Sequence, residues 1–274
     1  MPKIESTELT DCQRREVEYH EEHAKKNQTL LTTPFSWDVL QNPSRRWWNA
    51  YWQMYAFLKN CELKDKHVLI VGCGFGDDAL RIAKLGAKVS AFDLSTDALA
   101  IARALAKREG LSINFDAMPA ESLRYVDAQF DYIVARDILH HVDIPRAIAE
   151  IVRVAKSNAV FVVNEIYSHS ITEHIRRSSL VEKLLYPRMK RAIYGSDKPY
   201  ITEDEKKLTE IDLQQVTEPL QARMLDKHFN FLVTRIVPDR YPLASKMDRI
   251  LLILLKPVAH YLAGRVLFAA RITK

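Results

Sequence analysis

Val68-Leu-Ile-Val-Gly72-Cys-Gly74-Phe-Gly76 decides how this chain is read. Four apolar residues run directly into glycines at alternate positions, 72, 74 and 76. A short apolar run of this kind fits a parallel strand covered on both faces. Glycines at its carboxyl end allow a tight turn and a close approach of backbone to a ligand. Asp77-Asp-Ala-Leu-Arg-Ile-Ala-Lys-Leu85 follows, with apolar residues at helical spacing. The expected order is strand, glycine loop, helix, with a nucleotide-binding crevice at the end of the strand.

The loop departs from the dinucleotide pattern G-x-G-x-x-G, because Asp77 stands where the third glycine would be. A pyrophosphate needs the bare N–H groups of a helix N-terminus. Two carboxylates there, Asp77 and Asp78, repel a diphosphate and suit a cofactor with a cationic centre and no phosphate. The alternative is that both merely cap the helix and favour its positive end. The next apolar stretch, Ala87-Lys-Val-Ser-Ala-Phe92, reads as a second strand ending at Asp93, 93 − 72 = 21 positions after the first loop glycine. A carboxylate at that spacing accepts hydrogen bonds from both ribose hydroxyls of an adenosine; otherwise it is a loop-surface carboxylate. Ser95 then reads as the N-cap of a helical run, Thr96-Asp-Ala-Leu-Ala-Ile-Ala-Arg-Ala-Leu-Ala-Lys107.

From about residue 66 to 165 the chain resembles the class I S-adenosylmethionine-dependent methyltransferases, of the broad small-molecule (type 11-like) branch. The resemblance is carried by the glycine motif, Phe92-Asp-Leu-Ser95, Pro119-Ala-Glu-Ser-Leu123, Phe130-Asp-Tyr-Ile-Val134 and Leu139-His-His-Val142, in the family's order and spacing. It implies an α/β, Rossmann-like fold: a seven-stranded, mostly parallel sheet with an antiparallel last strand and helices on both faces. It also implies S-adenosyl-L-methionine as cofactor. Gly72, Cys73, Gly74 and Gly76 would line its methionine end, Asp93 its ribose, and Leu94, Ala120 and Glu121 its adenine. Ala135 and Arg136 would face cofactor and substrate. Two positions depart from the family: Ile70 replaces a usual acidic residue, and Pro119 replaces the aspartate before Ala-Glu. Proline brings neither N–H nor carboxylate, which leaves Glu121 or Asp116 to replace the contact to the adenine amino group.

Composition fits one large globular domain with lid elements: 274 residues, 47% hydrophobic and 27% charged. The polar N-terminal residues carry no secretory signal pattern. Cys12, Cys61 and Cys73 are far apart and fit neither a disulfide nor a metal spacing, so the expectation is no metal and a reducing, cytoplasmic setting. The small Cys73 reads as packing in the loop, not as a nucleophile.

The net charge of +5 is compatible with an acidic ligand, nucleic acid or a membrane surface. Arg176, Arg177, Lys183, Arg188, Lys190 and Arg191 are threaded with Leu180, Val181, Leu184, Leu185, Tyr186, Met189 and Ile193. That pattern fits either a lid helix with a solvated basic face or an amphipathic helix on a membrane surface. A second apolar run, residues 250–255, lies beside Lys246, Arg249 and Lys256 and is far short of the ~20 residues that span a bilayer.

Strands are expected near residues 67–71, 88–92, 112–115, 130–135, 159–165, 229–237 and 264–272. By resemblance the first five would be parallel with right-handed crossovers, the last two would be joined as a hairpin, and the seventh would run antiparallel between the fifth and sixth. Residues 1–60 are expected as an N-terminal helical lid, with helices near 6–26 and 44–60. Residues 61–274 form the catalytic domain, with a substrate-roof insert at about 168–210.

Methyl transfer is mainly alignment of nucleophile, methyl carbon and sulfur in a dry site; a hydroxyl acceptor adds the need for a general base. His140 and His169 are the base candidates. His141, Glu165 and Tyr167 rank behind them. The aromatic cluster Arg45-Arg-Trp-Trp-Asn-Ala-Tyr-Trp52 either closes over the cofactor by cation–π and carboxylate contacts or packs in the core, where the stripe Trp47, Tyr51 and Tyr55 points. The leading reading is methyl transfer to oxygen of a small or lipid-like acceptor. Its alternatives are a cofactor-binding relative with weak or no catalysis and, behind it, a nicotinamide-dependent oxidoreductase, which Asp77 and the lack of an evident Tyr-x-x-x-Lys pair oppose. Nucleic-acid methylation is disfavoured, since Ala135-Arg-Asp-Ile138 is not the Asn/Asp-Pro-Pro-Tyr/Phe type that grips a flipped base.

Overall fold

A computed structural model of the chain describes residues 26–176, 207–231 and 241–274, with residues 14, 15, 17, 21, 178 and 179. Its centre is a seven-stranded sheet in the order β3-β2-β1-β4-β5-β7-β6. The strands are β1 (His67–Val71), β2 (Lys88–Asp93), β3 (Ile113–Ala117), β4 (Phe130–Arg136), β5 (Ala155–Ile166), β6 (Leu220–Phe229) and β7 (Arg265–Ile272). The pairs β1·β2, β1·β4, β2·β3 and β4·β5 are parallel, while β7 runs antiparallel to both β5 and β6. This is the expected methyltransferase sheet, with the seventh strand between the fifth and sixth.

Two apolar layers cover the sheet. One is built on α1 (Ala50–Leu58), α2 (Asp77–Lys84) and α3 (Thr96–Arg108), with Met54, Tyr55, Leu58, Leu80, Ile82 and Leu99 fully buried. The other is built on α4 (Ile144–Val154) and α6 (Glu210–Thr217), with Ala147, Val154 and Val216 fully buried. The helix starts follow from their caps. The Ser95 hydroxyl accepts the Ala98 N–H, Asp143 accepts from Arg146 N–H, and Thr209 with Asp212 forms a capping box. Further described helices are α5 (Ser170–Arg176) and α7 (Pro242–Leu254), and short turns include Asp38–Gln41 and Ala259–Leu262.

Three expectations move. The sixth strand lies at Leu220–Phe229, not at residues 229–237, with Phe229 opposite Arg265 and Leu220 opposite Ile272. It is the edge strand, and natural edges carry charges and bulges that blunt pairing with other chains. Arg223, Asp226 and Lys227, with register shifts around Arg223, hide it from an apolar-run search. The helix expected at 44–60 starts at Ala50, because the Asn49 side chain accepts the Trp52 N–H and sets the first turn there. β5 begins at Ala155, earlier than its apolar run. The helix near 6–26 and the basic–apolar segment at 176–193 fall almost wholly outside the described residues.

Candidate active site

The glycine loop is positioned by backbone conformation and by one carboxylate. Gly72 has φ +62°, and a Cβ there would lie 2.4 Å from Ile138 Cγ1. Gly76 has φ +87°, caps α2, and would bring a Cβ to 2.9 Å from that of Ala102. Both positions require glycine on conformation and on space. Asp93 Oδ2 accepts the Gly74 N–H at 2.7 Å and Oδ1 accepts the Ser95 N–H at 2.9 Å. The loop end of β1 is thus tied to the end of β2 through the residue expected at the ribose.

A cleft opens beside this bond. Gly72, Asp93, Leu94, Ala120 and Glu121 line it together, joined by Phe92, Met118, Ile138, His141 and Val142. The donor set fits S-adenosylmethionine. A part-buried carboxylate stands at one end for the ribose hydroxyls. Flat apolar walls from Leu94, Met118 and Ala120 suit the adenine, and glycine backbone allows close approach. The two acids expected to replace the aspartate lost at Pro119 each have a partner: Glu121 Oε1 accepts the Asp143 N–H at 2.9 Å, and Asp116 accepts from the Tyr125 hydroxyl at 3.0 Å.

Cys73, Gly74, Gly76, Ala135 and Arg136 do not line this cleft. Ala135 is fully buried in the sheet. Burial and the Asp93 carboxylate push the Cys73 thiol well above its usual range, which agrees with packing and not nucleophilicity. Arg136 Nε donates to Asp78 Oδ2 at 2.6 Å, and the other Asp78 oxygen accepts the Tyr55 hydroxyl at 2.6 Å. Arg136 also lies 5.0 Å over the Tyr51 ring. Burial opposes the charge of Arg136, but Asp78 and Asp137 more than offset it and raise its pKa. Asp78 is only 5% exposed, and its charge is matched inside the protein. Asp77 is exposed near Arg81, so neither aspartate is the cap of α2.

The two candidate bases stand apart. His140 Nδ1 is 2.9 Å from Glu165 Oε2, and Glu165 is fully buried. The other oxygen, Oε1, accepts the N–H groups of Ile138 and Leu139 at 2.5 and 2.7 Å. One carboxylate therefore builds the turn after β4 and orients the imidazole. An Nδ1–H donated to Glu165 makes Nε2 the basic nitrogen. The His140 ring lies against that of His141, centroids 3.9 Å apart, and His141 reaches the cleft. His169 packs 4.5 Å from the Tyr261 ring, with Nε2 3.8 Å from Glu210. From the sequence His141 ranks behind His140 and His169 because a histidine in that place often packs at a helix start; the structure puts it in the lining of the cleft.

A second, larger cavity of about 890 Å³ lies along the β6 edge, lined by Tyr167, Arg223, His228, Arg249, Lys256 and His260 among others. It is four strands from β1 in the sheet order, roughly 19 Å at the usual strand spacing, so it is not where the methyl carbon would be. Burial pushes the His228 imidazole below its usual range, opposed by Asp226 and helped by Arg223, His260 and Arg249. The folded state therefore binds this proton more weakly than the unfolded chain. The stability present above the unfolded value of 6.5 is lost as the pH falls through 6.5 toward the lower folded value. Urea unfolding of His228→Gln is expected to show a shallower loss of stability below pH 6.5 than the parent protein; an unchanged slope would contradict this.

Residues 68–158 match the family model for a methyltransferase domain. In this stretch and in its sheet order the chain is similar to the class I S-adenosylmethionine-dependent methyltransferase domains. The chain is 34% identical over 119 residues to a ubiquinone biosynthesis O-methyltransferase of Paraburkholderia phytofirmans, covering 39% of this chain and 51% of that one. It is 35% identical over 111 residues to the protein of the same name from Coxiella burnetii, covering 36% and 47%. The chain spans about half the length of the curated relatives it matches. Among solved structures, a SAM-dependent methyltransferase from Methanosarcina mazei has a TM-score of 0.54 at 21% identity, covering 80% of this chain and 99% of that one. The cyclase SpnF has a TM-score of 0.57 at 19% identity, covering 95% and 96%. These two likenesses establish the fold.

Proposed function

We propose that this protein transfers a methyl group from S-adenosylmethionine to an oxygen of a small, lipid-like organic acceptor. The observation that carries the reading is the coupling of Asp93 to the glycine loop in the lining of a mainly apolar cleft. The name shared by the relatives supports both oxygen as acceptor atom and a lipid-like acceptor. When bound, the cofactor supplies an electrophilic methyl on a sulfonium. The chain's own work is to hold the ribose through Asp93, exclude water with Leu94, Met118 and Ile138, and take the acceptor's proton.

In this reading His140 takes that proton at Nε2, with Glu165 fixing its tautomer. The lid in this reading is residues 1–60, of which Tyr51 and Tyr55 reach Arg81 and Asp78, and the roof is residues 168–210; most of 1–25 and of 177–206 lies outside the described residues. His169 belongs to the roof, beside Glu210 and His260 of the edge cavity. The setting is cytoplasmic with peripheral membrane contact, and nucleic acid is not part of the reading. His140→Gln is expected to lower kcat on the order of 100-fold and to remove the acid limb of the pH profile, with S-adenosylhomocysteine binding retained. His169→Gln should leave kcat near that of the parent. The reverse ranking in a steady-state assay would overturn the assignment, and cofactor binding without any transfer would favour the non-catalytic relative.

A further inference from the structure

α7 is amphipathic in a way the fold does not use. Ser245, Asp248 and Leu252 point inward and are 4%, 4% and 1% exposed. On the other side Leu243, Met247, Ile250 and Leu254, at i, i+4, i+7 and i+11, are 72%, 58%, 45% and 73% exposed. Val258 and Tyr261 continue the exposed apolar surface past the helix end. α5 adds Ile171 and Ile175, both exposed, and its Thr172 hydroxyl donates to the Tyr261 carbonyl. Large apolar side chains exposed together along one helix face mark an interaction site.

Charge says what covers it. Between residues 241 and 262 the acidic side chain, Asp248, is buried and accepts the Phe231 N–H at 2.6 Å. The remaining formal charges there are Lys246, Arg249 and Lys256, all positive. Arg249 turns inward, its Nη1 donating to the His228 carbonyl, which leaves Lys246, over the Trp48 ring, and exposed Lys256 as a cationic rim that a second copy docked by a two-fold axis would set against itself. An anionic bilayer matches both the apolar stripe and the rim. α7 is 13 residues long, about 20 Å, and no helix among the described residues is long and apolar enough to cross a membrane. The inner side of the helix end, with Arg249 and Lys256, walls the 890 Å³ edge cavity, so cationic groups stand directly behind the apolar stripe.

We infer that α7, with the turn Ala259–Leu262 and the exposed isoleucines of α5, lies flat on an anionic lipid surface as a peripheral docking face. This seats the membrane contact in described residues, independently of the basic segment at 177–193 and of the methyl-transfer reading.

The test is co-sedimentation of the full chain with phosphatidylglycerol–phosphatidylcholine vesicles and with phosphatidylcholine alone. The parent protein should pellet with the anionic vesicles at low salt, be released at high salt, and stay in solution with phosphatidylcholine. Lys246→Glu with Lys256→Glu should weaken partition by about 30-fold or more. Leu243→Ser with Leu254→Ser should weaken it by about tenfold or more. Titration with S-adenosylhomocysteine should be unchanged in both double variants, which separates failure of docking from failure of the cofactor site. A parent protein that stays in solution with both vesicles overturns the proposal, as does an α7 variant that pellets like the parent. A parent dimer that Leu243→Ser with Leu254→Ser turns into a monomer, without vesicle binding, assigns the face to a second copy and overturns it as well.

Discussion

Asp93→Ala is expected to weaken S-adenosylhomocysteine binding by about 2–3 kcal/mol, roughly 30- to 150-fold. Two charge-assisted hydrogen bonds from the ribose are lost. The substitution also frees the Gly74 and Ser95 N–H groups, which Asp93 holds at 2.7 and 2.9 Å. The loop then loses the tie that fixes it to the end of β2, so part of the loss is preorganisation. Asp93→Asn separates the two effects, because an amide oxygen still accepts from the backbone while its NH2 meets the ribose with a donor. Calorimetric titration of both variants checks this. Unchanged affinity in Asp93→Ala would reject the ribose assignment.

The largest stability effect is expected at Asp78. Its carboxylate is shared by Arg136 and the fully buried Tyr55, each at 2.6 Å. Removing one partner of a buried ion pair leaves the other charge poorly compensated and costs about 3–5 kcal/mol. Arg136 keeps Asp137 at 3.2 Å and is 29% exposed at its side chain, which favours the lower end of that range, about 3 kcal/mol. Asp78→Ala should therefore shift urea unfolding strongly toward lower denaturant. Tyr55→Phe, which removes one hydrogen bond, should cost about 1 kcal/mol. Equal effects from the two substitutions would show that the Arg136 charge is solvated after all. The pair joins α1 to α2 and to the end of β4, so the lid-side helix and the cofactor loop are expected to loosen together.

The half of the fold that holds the cofactor cleft was legible because each element there has its own local signal. Val68 to Val71 and the glycines gave β1 and the loop, Ser95 capped α3 where its hydroxyl reaches Ala98 N–H, and the spacing to Asp93 set the cleft. The far half was less legible. β6 is a polar edge strand whose partner β7 is some forty residues away in sequence, and pairing of that kind leaves no periodic trace. The site was legible by residue and not by partner. Asp78 reads as a helix-end acid until Arg136, 58 positions later, is seen against it. Glu165 reads as a strand-end acid until the turn at residues 138–140 folds over it. The exposed face of α7 could be read as an apolar run but not as an outward one, since direction is set by Asp248 and Leu252 turning inward.

The central claim is that the cleft at Gly72 and Asp93 takes S-adenosylmethionine. Titration of the full chain with S-adenosylhomocysteine and, separately, with NAD tests it most directly. The expected result is saturable one-to-one binding of S-adenosylhomocysteine, weakened in Asp93→Ala, and no heat of binding with NAD. Saturable binding of NAD, or no binding of S-adenosylhomocysteine, would contradict the account.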